Sequence, residues 1–152
     1  MKKVGLFPGS FDPFTKGHEV VVRKSLTLFD EVVIGVGVNS SKKTMFDLDK
    51  RMNHINALFK DDDQVRVEQF QMLTVDFCQQ IGAQFIVRGL RDSKDFQYEK
   101  SIGHMNYDIS GIDTVFFLTE QRYSAINSTI IREIHKNGGP IDSFVTMPDL
   151  LV

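Results

Sequence analysis

The chain has one cysteine, Cys78, no tryptophan and only four prolines. A lone thiol cannot cross-link within the chain, so no disulfide framework is available, and the expectation is a reducing, cytoplasmic setting. No apolar stretch approaches the ~20 residues needed to span a bilayer. The longest, residues 32–38, has seven. The apolar start is stopped by Pro8, well short of a secretory core segment. One sign of charge does not dominate either: 18 basic against 20 acidic side chains leave a net charge of −2. Long-range attraction to nucleic acid or an anionic membrane is therefore not expected, and any anion site must be built locally. Internal repeats and low-complexity tracts are missing, as is a Pro/Gly/Ser linker.

What is present is ordinary globular composition, 41% hydrophobic and 25% charged over 152 residues. That length predicts a single domain over residues 1–152, large enough to bury a core without metal or cross-links. Short runs rich in β-branched and aromatic residues occur at 4–7, 32–38, 65–70, 85–87 and 114–118. Most are continuously apolar, as suits strands covered on both faces. Between them, Val21, Val22, Ser25, Leu26 and Phe29 share a helical face, and Leu48, Met52, Ile55 and Phe59 make a second stripe behind a potential Asp47 cap. Further helices are predicted from Leu73 to a stop at Gly82, over 96–109, and over 128–137 before Gly138-Gly139-Pro140. Five βα units joined by right-handed crossovers predict an α/β fold, a doubly wound five-stranded parallel sheet of Rossmann-like type.

In such sheets ligands lie beyond the carboxyl ends of the strands. Those ends carry Gly9 to His18, then Asn39 to Lys43, then Arg88-Gly89-Leu90-Arg91, then Tyr123 to Thr129. Hydroxyls, an imidazole, cations and helix starts converge there with no competing carboxylate pair, which points to an anion. Gly17-His18 opens a helix whose free amides favour phosphate, and His18 is either a phosphoryl donor, its charged form favoured by a polyphosphate, or a surface histidine. Lys42 and Lys43 are either a solvated pair or part of the site. Arg88 and Arg91 can clamp one anion or pair with Asp92 and Asp95. Asn127, Ser128 and Thr129 are good helix caps, and capping uses the same amides as phosphate binding. A Walker loop is absent, the Gly35-Val36-Gly37 stretch lacks the last glycine of a dinucleotide fingerprint, and the four histidines have no zinc spacing.

Residues 9–18, ending in Thr15-Lys16-Gly17-His18, resemble the (T/H)xGH signature of the nucleotidyltransferase superfamily. The blocks Ser41-Lys42-Lys43, Arg88-Gly89-Leu90-Arg91, Asp95-Phe96-Gln97-Tyr98-Glu99, His104-Met105-Asn106 and Ile126-Asn127-Ser128-Thr129 narrow the resemblance to bacterial phosphopantetheine adenylyltransferases. That resemblance implies transfer of AMP from ATP to 4′-phosphopantetheine, giving dephospho-coenzyme A and pyrophosphate, without a covalent intermediate. It also implies Mg²⁺ carried with ATP, a homohexamer, and coenzyme A as a possible feedback inhibitor. By the same resemblance His18, Lys42 and Ser10 are catalytic, with Ser10 and Lys42 holding the acceptor phosphate and His18 meeting the α-phosphate. ATP would be bound by Ser10, Phe11, His18, Gly89, Leu90, Arg91, Glu99, Tyr123, Ser124, Ala125, Ile126, Asn127, Ser128 and Thr129. Arg88, Leu73, Thr74, Met105 and Asn106 would face the pantetheine side. Ser10 stands where threonine is common in the family, Asn127 where serine is usual, and Tyr123 where tryptophan is frequent. Another adenylyl- or cytidylyltransferase, a nucleotide-binding regulator without turnover, and a flavodoxin-like carrier are the competing readings.

Overall fold

The computed structural model describes all residues, 1–152. Five strands, β1 (Val4–Gly9), β2 (Glu31–Gly37), β3 (Val65–Phe70), β4 (Phe85–Leu90) and β5 (Asp113–Leu118), form one parallel sheet in the order β3-β2-β1-β4-β5. Between and after them run α1 (Lys16–Ser25), α2 (Leu48–Leu58), α3 (Thr74–Ile81), α4 (Ser93–Ser110) and α5 (Ser128–Lys136). The order reverses between β1 and β4, so the switch point that such sheets use for ligands lies at the carboxyl ends of those two strands.

The central strands are apolar throughout because both faces are covered. Along β2, Val32, Ile34 and Val36 pack with Val21, Val22, Ile55 and Phe59 of the α1 and α2 side. Val33 points the other way and joins Leu6, Ile86, Phe77 and Cys78 beneath α3. Alternate side chains thus feed two cores at about 25 cal/mol per Å² of apolar surface buried. Cys78 lies wholly inside the second core, where burial raises its thiol to about 12 and leaves it unreactive. A third cluster, Phe46, Ile131, Ile141, Val145 and Leu151, folds the tail against α5 and includes a short 3₁₀ turn, Pro148–Leu151.

The helix boundaries follow their caps. Asp47 accepts from Lys50 N–H at 2.8 Å to start α2, and Gly82, at φ 73°, stops α3 in the left-handed conformation that glycine adopts cheaply. Two expectations need correction. The fourth helix begins at Ser93 rather than 96, because Asp92 caps it by accepting from Asp95 N–H at 2.8 Å. The fourth strand runs to Leu90 rather than stopping at 87: Arg88, Gly89 and Leu90 keep pairing with Phe116, Phe117 and Leu118. A ladder needs backbone groups, not apolar side chains, so Arg88 and Gly89 sit inside β4 rather than in a loop. Another 3₁₀ turn, Gln121–Tyr123, also goes beyond the sequence reading.

Candidate active site

At the switch point lies a cleft of about 400 Å³ lined by the β1–α1 loop, the end of β4 and the start of α5. A second cavity of about 310 Å³ opens between β1, β4 and α4. Gly9, Ser10, Arg88 and Glu99 border both, so the two spaces share a boundary at these residues.

His18 stands on the first turn of α1. Thr15 caps that helix: His18 N–H donates to Thr15 Oγ1 at 3.2 Å, while Thr15 N–H donates to His18 Nδ1 at 3.0 Å. Because Nδ1 accepts, the ring proton of the neutral form sits on Nε2, which is left as its free donor. The ring packs among Phe11 and Phe14, with centroids at 5.0 and 5.2 Å. Burial there, reinforced by the charges of Arg88 and Arg91, lowers its pKa to about 3. The protein groups that act on it are cations and apolar rings, and both favour the neutral imidazole in the absence of the polyphosphate expected to favour the charged form.

Arg88 is held rigidly. Its Nε and Nη2 donate to the two Glu99 carboxylate oxygens at 2.8 and 2.9 Å, and Nη1 donates to the Pro8 carbonyl. Three of five N–H groups are used, and two remain. Glu99 is the one buried residue of α4. Arg91 makes the expected ion pair with Asp95 at 2.9 Å, which holds that carboxyl below its usual range, and also donates to the Ile126 carbonyl at 2.8 Å. It still lines the cleft, so ion pairing and cleft lining coexist in one residue.

The cleft also contains Arg132, which sequence reading overlooked. It donates to the Asp12 carbonyl at 2.9 Å and to Thr129 Oγ1 at 3.1 Å. Its spacing, three and four residues beyond Thr129 and Ser128, would have placed it on their face of α5. Three carboxylates, Asp12, Asp95 and Glu99, line the cleft beside three guanidiniums, Arg88, Arg91 and Arg132. The expectation is that no carboxylate pair competes there, and none of the three acids is left unpaired. Each acid is taken by donors of the protein, Asp12 by the Met45 and Phe46 amides at 2.9 Å each. What stays open toward the cleft is donor-rich.

The fourth wall is the start of α5. Asn127 Oδ1 accepts from Thr129 N–H at 2.8 Å and Ile130 N–H at 3.4 Å, so the cap already takes amides that a phosphate would use. Ser128 Oγ donates to the Pro13 carbonyl at 3.1 Å. Tyr123, Ile126, Ser128 and Thr129 line the cleft with Asn127; Leu90, Ser124 and Ala125 line neither cavity. Phe11 takes φ 49° and buries its ring against Gly9, where a Cβ would approach that ring to 2.8 Å. At Gly89 a Cβ would come within 2.5 Å of Val21 Cγ2, a packing reason for glycine there. Thr119, also in the cleft wall, has its Oγ1 buried without a hydrogen-bond partner.

The pantetheine-side residues are divided. Thr74 and Asn106 line the second cavity, while Leu73 and Met105 are 63% and 69% exposed and lie outside it. Lys42 lies on an exposed loop and lines neither space; its amide donates to the Asn39 carbonyl at 3.0 Å. No group of three acidic, histidine or cysteine side chains is arranged to hold a metal ion. No helix is long and apolar enough to cross a membrane.

The cytidylyltransferase-like family model matches residues 6–134. The chain is 46% identical over 140 residues to a phosphopantetheine adenylyltransferase of Bacteroides fragilis, an alignment that covers 92% of this chain and 93% of that protein. With its counterpart from Christiangramia forsetii the identity is 45% over 151 residues, 99% and 98% of the two chains. Among solved structures, a putative nicotinate-nucleotide adenylyltransferase from Vibrio parahaemolyticus superposes with a TM-score of 0.67 at 23% identity, covering 99% of this chain and 96% of that one. A bifunctional NMN adenylyltransferase/ADP ribose pyrophosphatase from Francisella tularensis gives 0.72 at 20%, covering 99% and 49%. These two likenesses are of fold alone. The near-complete overlap with the curated relatives shows more, and by it the chain belongs to the phosphopantetheine adenylyltransferase family, within the cytidylyltransferase-like proteins.

Proposed function

We propose that this chain transfers AMP from ATP to 4′-phosphopantetheine, producing dephospho-coenzyme A and pyrophosphate. An oxygen of the acceptor phosphate forms a bond to the α-phosphorus as the bond to the pyrophosphate oxygen breaks, with no covalent enzyme intermediate. One observation carries the reading: two cavities, one bordered by a helix start and three guanidiniums, the other by α4, meet at Ser10 and Arg88.

The acceptor is already an anion, so it needs no strong base. The barrier lies in bringing two phosphorylated molecules together in line, a problem of position and charge. Arg88 has two donors to offer from a fixed guanidinium at the junction. His18, neutral and fixed by Thr15, offers Nε2–H to an oxygen on the α-phosphorus, where charge builds in the transition state. Ser10 adds a hydroxyl, Arg91, Arg132 and Thr129 face the triphosphate, and Lys42 reaches the acceptor phosphate from its loop. Mg²⁺ does not fit as a protein-held ion, because the cleft carboxylates are already taken by donors. It belongs with the oxygens of ATP, and no step is assigned to it.

Residues 1–152 are taken as one catalytic unit. The homohexamer is carried with this reading, supported by α4, whose Tyr98, Met105 and Ile109 are 69%, 69% and 65% exposed, an apolar face that copies of the chain would cover. Feedback by coenzyme A follows from the pantetheine arm that it shares with the product. The test is pyrophosphate release from ATP, measured with and without 4′-phosphopantetheine: release only with the acceptor is expected. Release with a different phosphomonoester, or ATP binding without release, would overturn the proposal.

A further inference from the structure

The β1–α1 loop and the β2–α2 loop share no strand pairing, yet a polar clasp joins them. The Asp12 carboxylate accepts from the Met45 and Phe46 amides at 2.9 Å each. Arg51, on the first turn of α2 and 4% exposed, donates through Nε to the Phe46 carbonyl at 3.0 Å and through Nη1 to the Ser10 carbonyl at 2.7 Å. Residue 46 is thus held at its N–H by a carboxylate and at its C=O by a guanidinium. Arg51 is in none of the ion pairs of the molecule.

Burying a guanidinium is costly unless its donors are satisfied, so its retention here calls for a reason. A fork with donors at fixed angles brings geometry that an apolar residue lacks. It ties the carbonyl of Ser10, at the junction of the two cavities, to a peptide four residues after Lys42. We propose that Arg51, with Asp12, is a positioning residue: its clasp sets where the Lys42 loop stands relative to Ser10, and it acts on turnover through Lys42. The inference rests on the roles of Ser10 and Lys42 proposed above.

The test is a double-mutant cycle on the full chain, reading kcat and the KM of each substrate. Arg51→Lys keeps the charge but cannot span both carbonyls. It is expected to lower kcat on the order of ten- to a hundredfold, as misplacing a reacting group does, with the KM for ATP within about twofold. In a Lys42→Ala background the same change should cost less than about twofold, because the group it positions is gone. Equal losses in both backgrounds, or an ATP KM that rises as steeply as kcat falls, would show a merely structural role and overturn the proposal. Asp12→Asn, which removes one of the two amide contacts, is put through the same cycle in case Arg51→Lys does not fold, and thermal midpoints check folding of each variant. A parent enzyme without phosphopantetheine-dependent release, or a Lys42→Ala enzyme with full turnover, fails the underlying reading and is recognisable before any Arg51 variant is made.

Discussion

The loops that follow β1 and β2 are joined through Asp12 and Arg51 and are built in opposite ways. After β1, residues 11–15 are all buried, with Phe11 and Phe14 in the core and Thr15 locked to His18. After β2, residues 39–43 are all exposed, and the loop is tied down only near its far end, at Met45 and Phe46. The difference divides the labour. Groups that stabilise charge on the reacting centre have to be in place before it develops, because reorganising them costs energy at the moment of reaction. A lysine that draws in an incoming anion works from a flexible stem. Under the proposed reaction the first loop is a fixed donor array and the second a tethered arm.

The sharpest way to break this contrast is to remove the fixed donor. His18→Ala is expected to lower kcat by ~10²- to 10³-fold, the usual loss for one preorganised donor. The KM for ATP should change little, since Arg91, Arg132 and Thr129 remain; near-normal turnover in steady-state assays would take His18 out of the mechanism. Next comes the pair that fixes Arg88. Glu99→Ala strips a nearly buried carboxylate from a guanidinium that is one third exposed, so the full penalty of breaking a buried pair does not apply. A loss of about 2 kcal/mol in urea unfolding is expected, with weaker binding of both substrates as Arg88 loses its fixed pose. If unfolding and both KM values stay unchanged, the rigidity assigned to the β4 wall is wrong.

The same division explains what could be read without coordinates. The third strand runs over residues 65–70 as expected, since its boundaries coincide with a change in local composition. The convergence of His18, Arg88, Arg91 and the Asn127 segment was legible because all stand near the carboxyl ends of adjacent strands, where backbone topology brings them together. The Arg51 to Ser10 bond was not, for it joins residues 41 apart by a side chain whose position no local pattern marks. The burial of Glu99 was not legible either, because its partner, Arg88, lies on a neighbouring strand. Lys42 shows the reverse limit: its place after a strand end marked it for the site, but its exposure on the loop is not written in that position.

Acid sharpens the comparison at a smaller scale. His18 has its pKa lowered to about 3 by burial and by Arg88 and Arg91, and His54, whose Nε2 donates to the Thr146 carbonyl at 2.7 Å, is lowered as well, mainly by burial. In the unfolded chain both rings bind a proton below about 6.5. Between that value and the folded one the unfolded state holds more protons, so their stabilising contribution is complete above pH 6.5 and is lost as pH falls toward 3. Thermal midpoints across that window should decline, and His18→Ala should flatten the part of the slope due to the fixed loop. A midpoint that rises on acidification would contradict the neutral rings.

The smallest effect separates capping from ligand contact on the fourth wall. Asn127 spends its side chain on the Thr129 and Ile130 amides, so Asn127→Ala should cost about 1 kcal/mol of stability, the usual loss of an N-cap, and barely change the KM for ATP. Ser128→Ala with Thr129→Ala should do the opposite. Those hydroxyls meet only Pro13 and Arg132 within the protein, so their removal leaves the helix capped while raising the KM for ATP. Thermal melts and ATP titrations on the two variants decide it: if Asn127→Ala weakens ATP more than the double replacement does, the helix start binds the triphosphate through its amides, and the cap must give way when the nucleotide arrives.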